Sequence, residues 1–391
     1  MKPRTISDNV CWLGAIDWDR RLFDSLIPLP DGTSYNAYLV KGSEKIALLD
    51  TVDPALADTL MAQLDCINKI DYVIAHHAEQ DHSGSIPMVL ARYPAAKVVC
   101  SPKCKGMLID HLCIAEDRII TMEDGATLSL GDKTLEFVHT PWVHWPETMC
   151  TYLKEDRILF SCDFFGSHLA TSDLYATDTE RVYEAAKRYY SEIMMAFRAT
   201  IKKNIEKVEA RKVDIIAPSH GPIYNKPAFI VNAYKDWISD TPKNLVVIPY
   251  ISMHGSTRKM VERLVMGLAE RGVAVQQFEL SGTDIGKLAI ALVDAGTIVL
   301  GTPTVHAGPH PLVLHAAHLA NALRPKARFA SIIGSYGWAG KTVERLAESI
   351  SNLKVEVIDP LLVKGFPRDA DLAKLDAMAE TIAAKHRAAG L

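Results

Sequence analysis

The sequence predicts an α/β protein of two domains. Its 391 residues exceed what one hydrophobic core usually organises. A polar stretch containing proline, 239–244, separates two different sequence patterns, which is typical of a linker. After this stretch, short apolar runs alternate regularly with helical segments, and that rhythm predicts a parallel sheet. We therefore expect one domain over 1–243 and a second over 244–391.

The apolar runs that predict strands are short and bounded by turn residues. In the first domain they lie at 38–40, 46–50, 72–75, 97–100, 157–160 and 214–217, with helices between them less regular than in a doubly wound fold. In the second domain they lie at 245–249, 297–300, 329–333 and 355–358. A helix follows the first of these, with one apolar face and Gly272 at its end, formed by Met260, Val261, Leu264, Val265 and Leu268. A last helix, about 371–387, closes the domain.

Composition excludes several classes of function. Charged residues make up 23%, hydrophobic residues 48%, and the net charge is -4, as in a folded protein without the basic surface that nucleic acid requires. The first residues lack an apolar signal core, and no later stretch has membrane-spanning length, so we expect a cytoplasmic protein without a membrane partner. The seven cysteines are odd in number, which argues against a disulfide framework. Cys100 and Cys104 lack the second pair that a zinc site needs.

Potential metal ligands cluster after the predicted strand 72–75. Four of them fall within the six residues 77–82, a density that is seldom structural. More distant candidates also lie in loops just beyond predicted strands, where a rigid sheet edge can fix ligands in space. The full set is His77, Glu79, Asp81, His82, His144, Asp163 and His220. Imidazole and carboxylate together suit iron, but zinc accepts them equally well.

The order His-x-Glu-x-Asp-His, followed by a distant His, an Asp and a final His, resembles the flavodiiron (A-type flavoprotein) branch of the metallo-β-lactamase fold. All seven positions match. The resemblance implies an N-terminal αββα sandwich in which Asp163 bridges two irons. It assigns His77, Glu79 and His144 to one iron, and Asp81, His82 and His220 to the other. Zinc hydrolases of this fold typically carry a histidine where this chain has Glu79, so the resemblance favours iron.

Other histidines near these ligands receive separate predictions. His168 lies five residues beyond Asp163 and is the candidate catalytic residue, because an imidazole there can donate a proton or a hydrogen bond to reduced oxygen. His76 is left out of the ligand set as a loop hydrogen-bonder. His139, on an apolar strand, is interpreted as structural.

The second domain offers a candidate flavin site in three loops. The first loop runs from strand 245–249 into a helix, and its hydroxyls and helix N-terminal N–H groups suit a phosphate. It resembles the flavodoxin phosphate loop. Its residues are Ser252, Met253, His254, Gly255, Ser256 and Thr257. Two more follow later strands, at the usual ligand edge of a parallel sheet. They contribute Pro303, Thr304, Val305, His306, Ala307, Gly308, Ser335, Tyr336, Gly337, Trp338, Ala339 and Gly340. Tyr336 and Trp338 are candidates to cover the isoalloxazine ring. Without Gly-x-Gly-x-x-Gly, FMN is preferred over FAD or a nicotinamide.

The resemblance implies an oxidoreductase that passes electrons from a separate donor through FMN to a di-iron centre. Such enzymes reduce dioxygen to water or nitric oxide to nitrous oxide, with rubredoxin or reduced coenzyme F420 as donor. A head-to-tail homodimer, or a homotetramer, is also implied, with a C-terminal flavodoxin-like doubly wound sheet. Two alternatives are a zinc hydrolase with a metal-bound hydroxide and a non-catalytic oxygen sensor. The preferred gas and the donor stay open.

Overall fold

The computed structural model describes residues 2–338 and 340–391. Ala339, one of the predicted flavin-loop residues, lies outside the described residues. The chain divides after Ile238 into two compact units, at the start of the polar stretch 239–244. The limits of 243 and 244 given above remain a prediction.

The first unit begins with a mixed sheet of seven strands in the order β1-β2-β5-β6-β7-β8-β9. Its first three neighbouring pairs are antiparallel and the rest parallel. The strands are β1 (Arg4–Ser7), β2 (Val10–Asp17), β5 (Thr33–Lys41), β6 (Ile46–Leu49), β7 (Tyr72–Ala75), β8 (Lys97–Cys100) and β9 (Ile119–Thr121). A small hairpin is formed by β3 (Leu22–Phe23) and β4 (Ile27–Pro28).

A second sheet of the same unit keeps chain order from β10 to β14. It is antiparallel up to β13, which pairs in parallel with β14. Its strands are β10 (Thr127–Ser129), β11 (Thr134–His139), β12 (Met149–Leu153), β13 (Ile158–Cys162) and β14 (Ile215–Pro218). The helices of the unit are α1 (Ala57–Gln63), α2 (Gln80–Ser83), α3 (Ile86–Arg92), α4 (Pro102–Leu112), α5 (Thr179–Tyr189), α6 (Arg198–Glu209) and α7 (Ala228–Trp237).

Strand β5 shows how the sheets pack, because it is buried on both faces. Side chains alternate across a strand, so Tyr38 points into the core between the two sheets, where its ring centroid lies 5.0 Å from that of Phe160 in β13. The neighbouring Leu39 belongs to the core beneath helices, with Leu60 of α1 and Leu108 of α4. This layering confirms the αββα sandwich.

The second unit contains a parallel sheet with strands in the order β16-β15-β17-β19-β20, and β21 also pairs with β19. Counted along the chain, this is the 2-1-3-4-5 order of flavodoxin-like folds. The strands are β15 (Leu245–Tyr250), β16 (Ala274–Glu279), β17 (Thr297–Val305), β18 (Gly308–Pro309), β19 (Phe329–Tyr336), β20 (Glu356–Val357) and β21 (Leu361–Lys364). The helices are α8 (Ser256–Ala269), α9 (Ile285–Leu292), α10 (Pro311–Leu323), α11 (Thr342–Ser349) and α12 (Asp369–Ala388).

The predicted helix stripe of the second unit lies on α8. Met260, Val261, Leu264 and Leu268 are fully buried there. Gly272 has φ +72° just beyond the helix end, a conformation that glycine adopts without strain. Strand β16 was not predicted, because this edge strand carries no apolar run: three of its six residues are exposed and none is buried. Within the described residues, no helix has the length and apolar character needed to cross a membrane.

Candidate metal centre and flavin cavity

The predicted metal ligands come from four loops of the sandwich. One loop follows β7 and continues into α2, one joins β11 to β12, and one each follows β13 and β14. Both sheets therefore contribute, which explains how ligands far apart in sequence meet. Six of the seven are buried, and the His144 side chain is 16% exposed.

The first group of ligand atoms comes from His77, Glu79, His144 and Asp163, and these atoms lie within 4.8 Å of one another. The Nε2 atoms of His77 and His144 lie 3.0 Å and 3.1 Å from Oε2 of Glu79. Each Nε2 also lies 3.5 Å from Oδ2 of Asp163. The four side chains thus converge on one point.

The second group consists of Asp81, His82 and His220, again with ligand atoms within 4.8 Å. His220 Nε2 lies 3.3 Å from Asp81 Oδ2, and His82 Nε2 lies 3.4 Å from Asp81 Oδ1. These separations suit atoms that surround a common cation. The two groups are the ones that the resemblance assigns to two irons.

Asp163 stands between the two groups. Its Oδ1 lies 3.0 Å from His82 Nε2 and 3.4 Å from His220 Nε2, whereas its Oδ2 faces His77 and His144. One carboxylate oxygen therefore faces each group, which is the geometry that a bridging ligand requires.

Buried polar atoms that lack a hydrogen-bond partner indicate whether these residues fit metal ions. Both carboxylate oxygens of Asp81, Oδ2 of Asp163 and Nε2 of His82 are buried without a hydrogen bond from any described residue. His82 Nε2 lies 3.0 Å from Asp163 Oδ1. Leaving such atoms unsatisfied costs about 1–3 kcal/mol each or more, so their convergence fits cations. The donor atoms alone do not choose between iron and zinc.

Without metal, the carboxylates hold protons on the histidines. Burial lowers the pKa of His77, but its hydrogen bonds to Glu147 and Glu79 outweigh burial and raise the pKa to about 10. Burial also lowers the pKa of His220, but Asp163 and Asp81 together outweigh burial and raise this pKa to about 10. The same two carboxylates raise the pKa of His82 to about 9.

We expect metal binding at pH 8 to release up to three protons per chain, because a cation replaces the protons on His77, His82 and His220. A histidine with its ordinary pKa of about 6.5 would be only about 3% protonated at this pH. Proton release can be measured with an indicator dye while ferrous ion is added anaerobically. A proton release near zero would contradict metal binding by these three protonated histidines.

The same shifts predict the pH dependence of stability in the metal-free protein. Each folded-state pKa lies above its unfolded value, so the stabilisation is complete below about pH 6.5. It is lost as the pH rises through about 9 to 10. The free energy of unfolding, measured by urea titration, should therefore fall across this interval.

Three contacts around the ligands escaped sequence analysis. Glu147 Oε1 lies 2.7 Å from Nδ1 of His77, and the backbone oxygen of Ser34 accepts a 2.7 Å hydrogen bond from Nδ1 of His220. The hydroxyl of Tyr189 donates to Asp163 Oδ1 at 2.8 Å. Glu147 carried a sequence signal, since it lies in the same loop as His144, but Ser34 and Tyr189 carried none.

The structure places His168 beside the second group. Its ring centroid lies 4.9 Å from that of His220 and 4.8 Å from that of Tyr189, and its Nδ1 lies 2.9 Å from Thr33 Oγ1. Its Nε2 is buried without a hydrogen-bond partner in the described part of the chain. Burial and His220 hold its pKa well below the ordinary value, so the ring is neutral. A catalytic role for His168 remains a prediction.

The remaining histidines of this region lie in structural contacts. Both ring nitrogens of His76 have partners, Asp50 at 2.7 Å and Thr151 at 2.7 Å, in agreement with its exclusion from the ligand set. His139 Nε2 lies 3.0 Å from the backbone oxygen of Met122, as expected of a structural histidine.

In the second unit, two adjoining cavities of about 340 and 370 Å³ lie at the carboxyl ends of β15, β17 and β19. Both fall within the roughly 300–1,000 Å³ typical of small-molecule sites. Thirteen of the described loop residues predicted for the flavin line one or both: Ser252, Met253, His254, Ser256, Thr257, Pro303, Thr304, His306, Ala307, Ser335, Tyr336, Gly337 and Trp338. Trp338 lines both cavities and Gly365, which was not predicted, lines one. The linings do not include Gly255, Val305, Gly308 or Gly340.

The N-terminus of α8 lies at one end of the 340 Å³ cavity. Gly255 precedes the helix with φ +89°, which needs glycine. Gly255 itself offers no side-chain cap, and Ser252 Oγ accepts a 3.1 Å hydrogen bond from the backbone N–H of Arg258 in the first turn. Ser256 and Thr257 line the cavity. Free N–H groups and hydroxyls at a helix N-terminus suit a phosphate. The loop therefore fits the phosphate of a flavin nucleotide.

An αββα sandwich with two carboxylate-bridged ligand groups, followed by a flavodoxin-like unit, defines a class of metallo-β-lactamase-fold proteins that combine metal and flavin. Comparison with known proteins agrees. Residues 33–221 match the family model described as ODP family beta lactamase. Over 98% of its length the chain is 34% identical to a nitric oxide reductase of Moorella thermoacetica, covering 99% of that protein.

Two further relatives extend the comparison. A coenzyme F420H(2) oxidase of Methanothermobacter marburgensis is 35% identical, with 88% of this chain and 90% of that protein covered. The solved rubredoxin oxygen:oxidoreductase of Desulfovibrio gigas superposes with a TM-score of 0.95 at 30% identity, covering 99% of both chains. The chain belongs to the flavodiiron family, also called type A flavoproteins.

Proposed function

We propose that this chain is an oxidoreductase that passes electrons from an external donor through FMN to a di-iron centre. There, dioxygen is reduced to water or nitric oxide to nitrous oxide. The position of Asp163 supports the proposal most strongly, because its two carboxylate oxygens face two separate groups of buried ligands. Two adjacent metals bridged in this way can bind one small molecule between them.

The electron count supports the pairing of these cofactors. FMN holds two electrons and two ferrous ions supply one each, which matches the four electrons and four protons that convert one dioxygen to two waters. Two nitric oxide molecules need two electrons and two protons to give one nitrous oxide and one water. Relatives carry the names of both activities, so both gases are proposed substrates.

The proposed donor is rubredoxin or reduced coenzyme F420. Both are taken from the names of relatives, a rubredoxin oxygen:oxidoreductase and a coenzyme F420H(2) oxidase. The exposed rim of the flavin cavity supports an external donor, because the Trp338 side chain there is 82% exposed.

Cofactor content and gas consumption test the proposal together. Purified protein should contain two irons and one FMN per chain and should consume dioxygen or nitric oxide continuously with a reduced donor. Two zinc ions and no flavin would instead indicate a hydrolase. Gas binding without sustained consumption would indicate a sensor.

We also propose a head-to-tail homodimer, or a homotetramer built from it. Large apolar side chains are exposed at or near the flavin cavity: Met253, Trp338 and Phe366 are 52%, 82% and 60% exposed. In the first unit, Trp18 and Leu26 flank or lie in the β3-β4 hairpin and are 51% and 68% exposed. Exposed apolar patches of this kind mark interaction surfaces.

In the proposed head-to-tail dimer a partner subunit would bring flavin and iron together, so dilution should lower turnover per chain before either unit unfolds. Turnover can be measured over a series of protein concentrations, with circular dichroism and sedimentation followed in parallel. A monomer that retains full turnover would contradict the dimer proposal.

A further inference from the structure

Glu147 contacts the first ligand group from its outer side. It lies in the loop between β11 and β12, which also carries His144. Its Oε1 lies 2.7 Å from Nδ1 of His77 and accepts a 3.1 Å hydrogen bond from the backbone N–H of Ala78. The residue is 2% exposed, so this carboxylate is held inside the protein.

The contact determines which ring nitrogen of His77 is available to a metal. A carboxylate accepts hydrogen bonds, so Nδ1 of His77 carries the ring proton and donates a hydrogen bond to Glu147. Nε2 is then the free donor atom, and it points toward Glu79 at 3.0 Å and Asp163 at 3.5 Å. A carboxylate on the far side of a ligating imidazole also makes the ring a stronger donor.

The second ligand group differs at the corresponding place. Nδ1 of His220 donates to the backbone oxygen of Ser34 at 2.7 Å, a neutral acceptor. Both rings are therefore oriented by a hydrogen bond, but a charged acceptor holds His77 and a neutral one holds His220. The two groups use similar ligands and differ in this outer contact.

The energetic cost of Glu147 indicates that its charge has a function. Its Oε2 is buried without a hydrogen bond from any residue that the structure describes. A buried ionised group with an unsatisfied oxygen is destabilising, and a glutamine would accept from His77 and Ala78 at less cost.

We propose that Glu147 is the positioning residue of the first metal position, where its carboxylate fixes the His77 tautomer and strengthens its donation to the metal. This inference rests on the proposed function, because it takes His77, Glu79 and His144 as ligands of one iron. It follows that one of the two irons depends on Glu147. The iron held by Asp81, His82 and His220 does not.

The test compares Glu147→Gln, Glu147→Asp and a control in the iron-loaded, full-length protein. Glutamine keeps one acceptor oxygen at nearly the same size, removes the charge and replaces the second carboxylate oxygen by an amide NH2 group. The control, Glu116→Gln, removes the charge of an exposed glutamate that pairs with Lys105. Iron affinity is measured by competition with a chelator, and each iron is observed by its Mössbauer quadrupole doublet.

We expect Glu147→Gln to weaken one iron by about 10–100-fold, the range found when such an outer partner is removed, and to shift one doublet. Glu147→Asp should recover part of this affinity because the charge returns, and Glu116→Gln should match the unmodified protein. Two irons of unchanged affinity and spectrum in Glu147→Gln would overturn the inference.

An equal loss of affinity for both irons, with a lower melting temperature of the metal-free variant, would also overturn the inference, because that result is expected of a residue that only stabilises the fold. The proposed function fails separately. If the unmodified protein does not bind two irons, the function is wrong whatever the variants show.

Discussion

Replacing Asp163 by asparagine should lower dioxygen and nitric oxide consumption by more than about 100-fold, beyond the range seen for residues that only orient a ligand. The carboxylate offers one oxygen to His82 and His220 and the other to His77 and His144. An amide has a single oxygen donor, so at most one metal group keeps its ligand. Iron content should fall below two per chain, as measured by elemental analysis.

A matched control is Asp214→Asn. Asp214 lies at the surface and pairs with Arg157 at 2.6 Å, with 44% of its side chain exposed. Exposed ion pairs contribute about 0–1 kcal/mol, so this variant should keep both irons and its turnover. Full activity in Asp163→Asn would remove the basis for a bridged centre.

The second large effect is expected at the flavin cavity, where Ser256→Asp should weaken FMN binding by at least about 100-fold. Ser256 is the first residue of α8 and lines the cavity. Like charges about 4 Å apart repel by about 4 kcal/mol at an effective dielectric constant of 20, and solvent screens part of this. Flavin affinity can be measured by fluorescence quenching on titration of the flavin-free protein.

This substitution separates binding from folding. An aspartate in the first turn of a helix is stabilising by about 0.3–1 kcal/mol, so α8 should persist while the phosphate is repelled. Iron content should be unchanged. Ser351→Asp, at an exposed position after α11, should bind FMN normally. If Ser256→Asp binds FMN as tightly as the unmodified protein, the phosphate lies elsewhere.

The metal site was predictable from sequence as a set of residues because its ligands are dense and lie in loops beyond strands. Their division into two groups was not readable from composition or spacing and came only from the family resemblance. It depends on how two sheets bring β7, β13 and β14 together. The role of Tyr189 was invisible, because it lies in α5 and reaches Asp163 only through tertiary packing.

The second unit shows a similar limit. Turn residues after apolar runs located the three loops, and these loops line the cavity. Residues 301–305, expected in a loop, instead extend β17, because pairing with β19 and β18 continues through them. Gly365 was missed because it follows β21, a strand whose short sequence gave no distinct signal.

An anaerobic reductive titration shows whether one chain combines a flavin with a redox-active pair of irons. Fully oxidised protein should accept four electrons per chain, two at FMN and two at the irons. Mixing the reduced protein with dioxygen should then consume one dioxygen per chain. Uptake of only two electrons, all at the flavin, would contradict a redox-active di-iron centre.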